Sequence, residues 1–247
     1  TEQDVLPHVD EWERAGELPR ELSQKAGKLG LLGLRYPEHV GGGGGDVVDE
    51  TVLVEELCYA GAPGGVLASL FTTSITLPHL IAEGTPDQID SWVRPSLAGD
   101  MIGALGVTEP DGGSDVGHLR TRADRDGDSF VVNGSKIFIT NAARGDFVVT
   151  AVRTGGAGAA GLSLMVIPTD AKGFTVTRRL SKMGWLCSDT TALTFDDVRV
   201  PVSNLVGTEG TGFAQLSRHF VSERLGLAVQ AYASAQRALD VTAQWCR

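Results

Sequence analysis

Residues 121–141 read TRADRDGDSFVVNGSKIFITN. Two turn pairs punctuate this stretch, Asp126-Gly127 and Asn133-Gly134. Both pairs tolerate positive φ, which a two-residue hairpin loop requires. Apolar and polar residues alternate around them, the period of a strand. The spacing predicts strands over 121–125, 129–132 and 136–141, joined by two hairpins. The same period recurs downstream over 147–153, 162–168, 174–178 and 191–200, with a Gly/Ala loop at 155–161. Together these predict an antiparallel β domain of six or seven strands, a barrel or a sandwich.

On both sides of this domain the apolar period changes to that of a helix. Upstream, Leu recurs at helical spacing over 18–34, with Pro19 acceptable in a first turn. A second helix is predicted over 48–60, with Val52, Leu53, Leu57 and Cys58 on its inner side. Residues 65–83 form a mostly apolar, central helix, and Pro86 opens another that carries Ile89, Trp92 and Val93. Glycines 41–45 read as a flexible linker. A phosphate loop would need Lys-Ser or Lys-Thr after them, and Asp46-Val47 follows. Downstream, 211–247 is one long helical pattern without Pro. Its predicted stripe is Phe213, Leu216, Phe220, Leu227, Ala231, Ser234 and Ala238. The stripe runs to the last residue with no glycine C-cap, so the chain is expected to be cut inside a further helical domain. The predicted fold class is therefore α+β. A helical N-terminal domain (1–101) and a β middle domain (102–207) precede the first helix of a C-terminal bundle (208–247).

Composition sets outer bounds. The 247 residues are 42% hydrophobic and 21% charged, the make-up of a globular chain. A net charge of −10 lacks the basic footprint of a nucleic-acid binder. Three cysteines, far apart and without CxxC, make neither a disulfide framework nor a structural zinc site. The apolar stretch 66–81 contains Ser, Thr, Pro and His and is read as no membrane span. Only five of 21 basic residues are Lys, which points to a GC-rich bacterial genome and, with the cysteine usage, to the cytoplasm.

Three segments carry chemistry. In 105–115, LGVTEPDGGSD, the glycines let another group approach the backbone. Ser114 and Asp115 are set to cap a short helical turn, and the Thr108 and Ser114 hydroxyls converge on one point. In 136–141, Phe138 and Thr140 share a strand face, an aromatic plane beside a hydroxyl. In the last helix, Glu223 falls three residues after Phe220 and four before Leu227, on the apolar stripe. Burial there without a partner would raise its pKa and suit a general base. The same features also read structurally, as a capped glycine turn, a half-buried edge strand and a carboxylate paired with another Arg. The five histidines are scattered, and Arg178-Arg179 reads as an exposed strand end.

In order along the chain, these segments resemble the acyl-CoA dehydrogenase family. The carrying runs are TEPDGGSD (108–115), NGSKIFITN (133–141), KMGWLCSDT (182–190), LTFDDVRVP (193–201) and NLVG (204–207), with Glu223-Arg224 beyond them. The resemblance implies an FAD-dependent enzyme that converts an acyl-CoA thioester to the trans-2-enoyl-CoA. It implies an electron-transfer flavoprotein as acceptor and a homo-oligomer, dimer or tetramer. Leu105, Val107, Thr108, Gly113 and Ser114 would line the flavin, with Ser114 also near the substrate arm. Phe138 would cover one ring face, with Ile139 and Thr140 beside it, and Arg224 would be substrate-side. Many members have Trp at the Phe138 position, and several have Asp at Val221. Two locations for the base occur in the family: the first bundle helix, where Glu223 falls, and a position beyond residue 247. The missing bundle would supply FAD pyrophosphate contacts. A flavin oxidase or monooxygenase on this fold, and a non-catalytic partner subunit, are the other readings the motifs allow.

Overall fold

The computed structural model describes residues 1–247. Helices α1 (Val9–Ala15), α2 (Arg20–Lys28), α3 (Val47–Tyr59), α4 (Gly64–Leu70) and α5 (Thr73–Glu83) come first. A broken helix follows, made of α6 (Pro86–Gln88), a wider turn at Ile89–Val93 and α7 (Arg94–Leu97). Thr85 caps it through a capping box with Gln88. The predicted 18–34 helix is shorter, because α2 stops at Lys28 and only a 3₁₀ turn follows at Leu31–Gly33. Gly64–Glu83 has the length and apolarity of a spanning segment, yet it is two helices broken at Phe71–Thr72 and is mostly buried within the protein.

Glycines 41–45 are not a flexible linker. They fold back onto residues 33–36, with Gly43 N donating to Gly33 O (2.9 Å), Gly44 N to Tyr36 O (2.8 Å) and Gly45 N to Leu34 O (2.9 Å). A Cβ on Gly42 would lie 2.2 Å from the Tyr36 carbonyl oxygen.

The middle of the chain is an eight-stranded sheet. Its strands are β1 (Gly103–Gly106), β2 (Arg122–Asp126), β3 (Ser129–Thr140), β4 (Phe147–Arg153), β5 (Leu162–Pro168), β6 (Phe174–Arg179), β7 (Thr190–Pro201) and β8 (Leu205–Val206). The order is β6-β7-β3-β2-β4-β5-β8, and β1 pairs with β4. The sheet is mixed, where alternation alone predicted antiparallel pairing. The β1–β4 pair is parallel, as is a single β2–β4 contact. Strands β4 and β5 lose the alternation because both their faces are covered. Val149, Leu162 and Leu164 face the helices, while Val148, Met165 and Ile167 face Phe130, Leu193 and Phe195 from β3 and β7.

The Asp126-Gly127 hairpin forms between β2 and β3. Asn133-Gly134 makes no second hairpin. It is a bulge inside the continuous β3, where the register against β7 shifts between Val132 and Gly134. Asn133 Nδ2 donates to Asp197 Oδ1 (3.0 Å), and Asp197 N donates back to Asn133 Oδ1 (2.9 Å). Gly134 has φ of +148°, and a Cβ there would lie 2.6 Å from Thr121 Oγ1.

Helix α8 (Gly212–Trp245) closes the chain with 34 residues. Its buried face differs from the predicted stripe. Leu216, Val229 and Ala233 are buried, whereas Phe213 and Leu227 are exposed. Val221, Leu225, Leu239 and Trp245 form further apolar surface in the open. The sequence period mixed two apolar sides, and only one of them meets the rest of this chain.

Candidate active site

Two bulges on β3 aim its end. The second shifts the register between Ile137 and Ile139 and leaves Phe138 at φ +64°. The Phe138 ring is 64% exposed and Ile139 is buried. Thr140 is half-buried, and Asn141 ends the strand at φ +65°. The Asn141 amide is fully buried between sheet and helices. Its Oδ1 accepts from Ser69 Oγ (2.6 Å), and its Nδ2 donates to Ser69 O (2.7 Å) and Thr72 Oγ1 (2.9 Å). One side chain thus fixes Thr140 against the junction of α4 and α5.

The 107–115 loop is bolted to the same strand. Lys136 Nζ, wholly buried, donates to Val107 O (3.0 Å) and Glu109 Oε1 (2.9 Å). Glu109 also accepts from Arg120 N (2.6 Å) and Thr121 N (2.9 Å), and Ile137 N donates to Thr108 O (2.9 Å). Burial pushes the Lys136 ammonium down to about 8 against the pull of Glu109. Burial pushes the Glu109 carboxyl up, but Lys136 and the hydrogen bonds outweigh it and the net is below the ordinary value. Beyond this bolt, Thr108 is half-buried, while Gly113 and Ser114 are exposed. The predicted cap is absent: a 3₁₀ turn at Val116–His118 starts at Asp115 without a side-chain cap bond. Asp115 instead pairs with His118 Nδ1 (2.6 Å), a local alternative open to Asp in turns.

A cavity of about 230 Å³ lies among α3, α4, α5, α8 and residues 31–36. Leu67, Phe71, Ile75, Leu53 and Leu227 supply apolar wall. Thr140 enters it from β3 and Glu223 from α8. Burial pushes the Glu223 carboxyl up, and only its neighbour Arg224 opposes this. No arginine from another segment pairs with it. Trp185, at φ +56°, completes the wall between Gly64 and Gln230. Its loop is held by Lys182 Nζ, which donates to Trp185 O (2.9 Å) and Thr190 Oγ1 (3.0 Å). It is also held by Glu13, which accepts from Leu186 N (2.9 Å).

The structure therefore brings Thr140 and Glu223 to one cavity. Leu105, Val107, Thr108, Gly113 and Ser114 lie outside its lining, as does the exposed Arg224, whose guanidinium sits over the Phe220 ring. Val107 and Ile139 are buried, and their carbonyls accept from Lys136 Nζ and Thr191 Oγ1. Sequence reasoning did not single out Arg35, Glu50, Phe71 or Trp185 as wall residues. Trp185 stood inside a quoted motif. The others lie on helices and a loop that carry no local chemical signal. Arg178 and Arg179 are exposed at the end of β6, as expected, and Arg179 pairs with Glu17 (2.8 Å).

The model of the acyl-CoA dehydrogenase N-terminal domain matches residues 1–100, and that of the middle domain matches 104–198. The rat mitochondrial long-chain specific acyl-CoA dehydrogenase is 39% identical over the whole chain, which covers 57% of that protein. The short-chain specific acyl-CoA dehydrogenase of Clostridium acetobutylicum is 37% identical over 97% of this chain and 63% of its own length. A Mycobacterium smegmatis crystal structure described as an acyl-CoA dehydrogenase superposes with a TM-score of 0.99 at 63% identity, covering all of this chain and 65% of that one. Butyryl-CoA dehydrogenase from Megasphaera elsdenii superposes at 0.88 and 34% identity, over 97% of this chain and 63% of that one. The chain thus spans just over half of the rat relative and under two thirds of the others.

Proposed function

The chain belongs to the acyl-CoA dehydrogenase family, and on that premise we propose that it serves FAD-dependent α,β-dehydrogenation of an acyl-CoA thioester to the trans-2-enoyl-CoA. The observation that carries this reading is the shared cavity. A half-buried carboxylate without an ion-pair partner, Glu223, opens onto the same apolar space as Thr140.

The residues present fit a flavin. Phe138 offers a large apolar ring to solvent, Gly112 has nothing within 4 Å of a Cβ, and the Ser114 side chain is exposed. An exposed aromatic beside unpaired hydroxyls is what a flat polar ring system would cover. Leu105, Val107, Thr108, Gly113, Ser114, Phe138, Ile139 and Thr140 would hold it. When bound, FAD supplies the acceptor for the β-hydride. Glu223 removes the α-proton, and its burial-raised pKa brings its basicity closer to working pH. The apolar walls bind the acyl tail and exclude water from the carboxylate. Ser114 and Arg224 belong to the substrate arm outside the cavity.

The rest of the reading follows from the family. It comprises an electron-transfer flavoprotein as acceptor, a homo-oligomer and a place in fatty acid metabolism, while the bacterial cytoplasmic setting rests on the Lys and Cys usage. Anaerobic mixing of the full-length protein with acyl-CoAs of graded length tests the proposal. Flavin absorbance should bleach with a subset of them, and an unchanged spectrum with every length would overturn it.

A further inference from the structure

The cavity wall built by residues 31–36 and α3 carries a partly buried ion pair. Arg35 Nη1 lies 3.0 Å from Glu50 Oε2, and the two side chains are 13% and 23% exposed. Both line the cavity beside Leu31, Leu34 and Leu53. The guanidinium is poorly served there. Its Nη2 makes only long contacts, 3.3 Å to Ser74 O and 3.4 Å to Tyr36 Oη, and its buried Nε–H has no acceptor. Glu50 engages Arg35 through one oxygen, and nothing in the chain donates to the other. Burial pushes the Glu50 carboxyl up, although Arg35 opposes it.

A pure hydrocarbon tail gives such a wall no role. An ion pair largely withdrawn from water is costly unless further hydrogen bonds satisfy it, and here the Arg35 Nε–H has none. We propose that Arg35 and Glu50 bind a hydroxyl group on the acyl tail of the substrate, its oxygen accepting from Arg35 and its O–H donating to Glu50 Oε1. The charges of the pair cancel, so a neutral group fits best. A tail carboxylate would set two anions against one guanidinium. A ketone would accept from Arg35 but leave Glu50 without a donor. The inference rests on the acyl-CoA reading given above and names the class of acyl group within it.

The test compares straight-chain acyl-CoAs with partners hydroxylated on the penultimate carbon, over a range of lengths, on the FAD-loaded full-length protein. At one or more lengths kcat/KM should favour the hydroxylated partner by about tenfold or more. In the double variant Arg35→Leu/Glu50→Leu, which leaves no lone buried charge, that ratio should fall to about one. If the double variant does not fold, the isosteric Glu50→Gln is used, and the ratio should fall severalfold. Equal kcat/KM at every length, survival of the preference in the variant, or a stronger preference for a tail carboxylate would overturn the proposal. Calorimetric Kd values for the same pairs separate this inference from the reaction. Tighter hydroxyl binding without any turnover would sink dehydrogenation and keep the site. Equal binding would sink the site.

Discussion

Glu223 is half-buried and Lys136 wholly buried, and their partners differ. Glu223 has no counter-charge but the adjacent Arg224, so Glu223→Gln should lower kcat by about 10²–10⁴-fold while the flavin spectrum stays intact. Its raised pKa also fixes the direction of a pH profile. The acid limb of kcat/KM should lie above the ordinary carboxylate range, with activity lost as pH falls through it. Stopped-flow flavin reduction measures both effects. Lys136, by contrast, is matched to Glu109, and the pair has no exposed face. Lys136→Met would leave Glu109 buried alone and should cost on the order of 3–5 kcal/mol of stability. Adding Glu109→Gln should return part of that loss, and urea titration of the three proteins reads the difference.

At the scale of elements, α5 meets α8 through two imidazoles. His79 and His219 pack edge to face at 4.9 Å, with His79 Nδ1 and His219 Nε2 buried and unpartnered. Burial, aided by His219, pushes His79 down to about 3. The unfolded chain therefore binds a proton near pH 6.5 that the folded chain refuses. Stability should fall as pH drops from about 6.5 towards 3. A scan of Tm over that window should show a shallower slope in His79→Phe. Strand β3 makes a second case. Gly134→Ala would drive a Cβ to 2.7 Å from Thr121 Cα and should cost about 1–3 kcal/mol. Elements of this kind explain what the sequence could disclose. The β2–β3 hairpin and the long α8 were readable, because one turn pair and one uninterrupted helical period specify each locally. The Asn133-Gly134 bulge read as a hairpin because its decisive neighbour, Thr121, is brought to it only by folding. Thr140 and Glu223 were readable as single side chains, whereas Arg35, Glu50 and Trp185 reach the cavity only through tertiary packing.

Across the whole molecule, α8 is about 50 Å long at 1.5 Å per residue, and its last third leaves the body almost entirely. Val221, Leu225, Leu239 and Trp245 lie bare along it. Residues 1–247 alone should therefore self-associate with rising concentration in sedimentation velocity. They should also hold FAD weakly, since the chain spans only 57–65% of the relatives it matches; stoichiometric flavin after gel filtration would contradict this. The glycine run has its own consequence at this scale. Residues 41–45 prop the backbone of 33–36, and hence the Arg35 side of the cavity, by contacts too close for any Cβ at Gly42. In a saturation library, the strongest intolerance in that stretch should fall at Gly42 and Gly45. Adaptive change in the cavity would then have to enter through α3, α4 and α8, leaving this wall as the slowest part of the pocket to diversify.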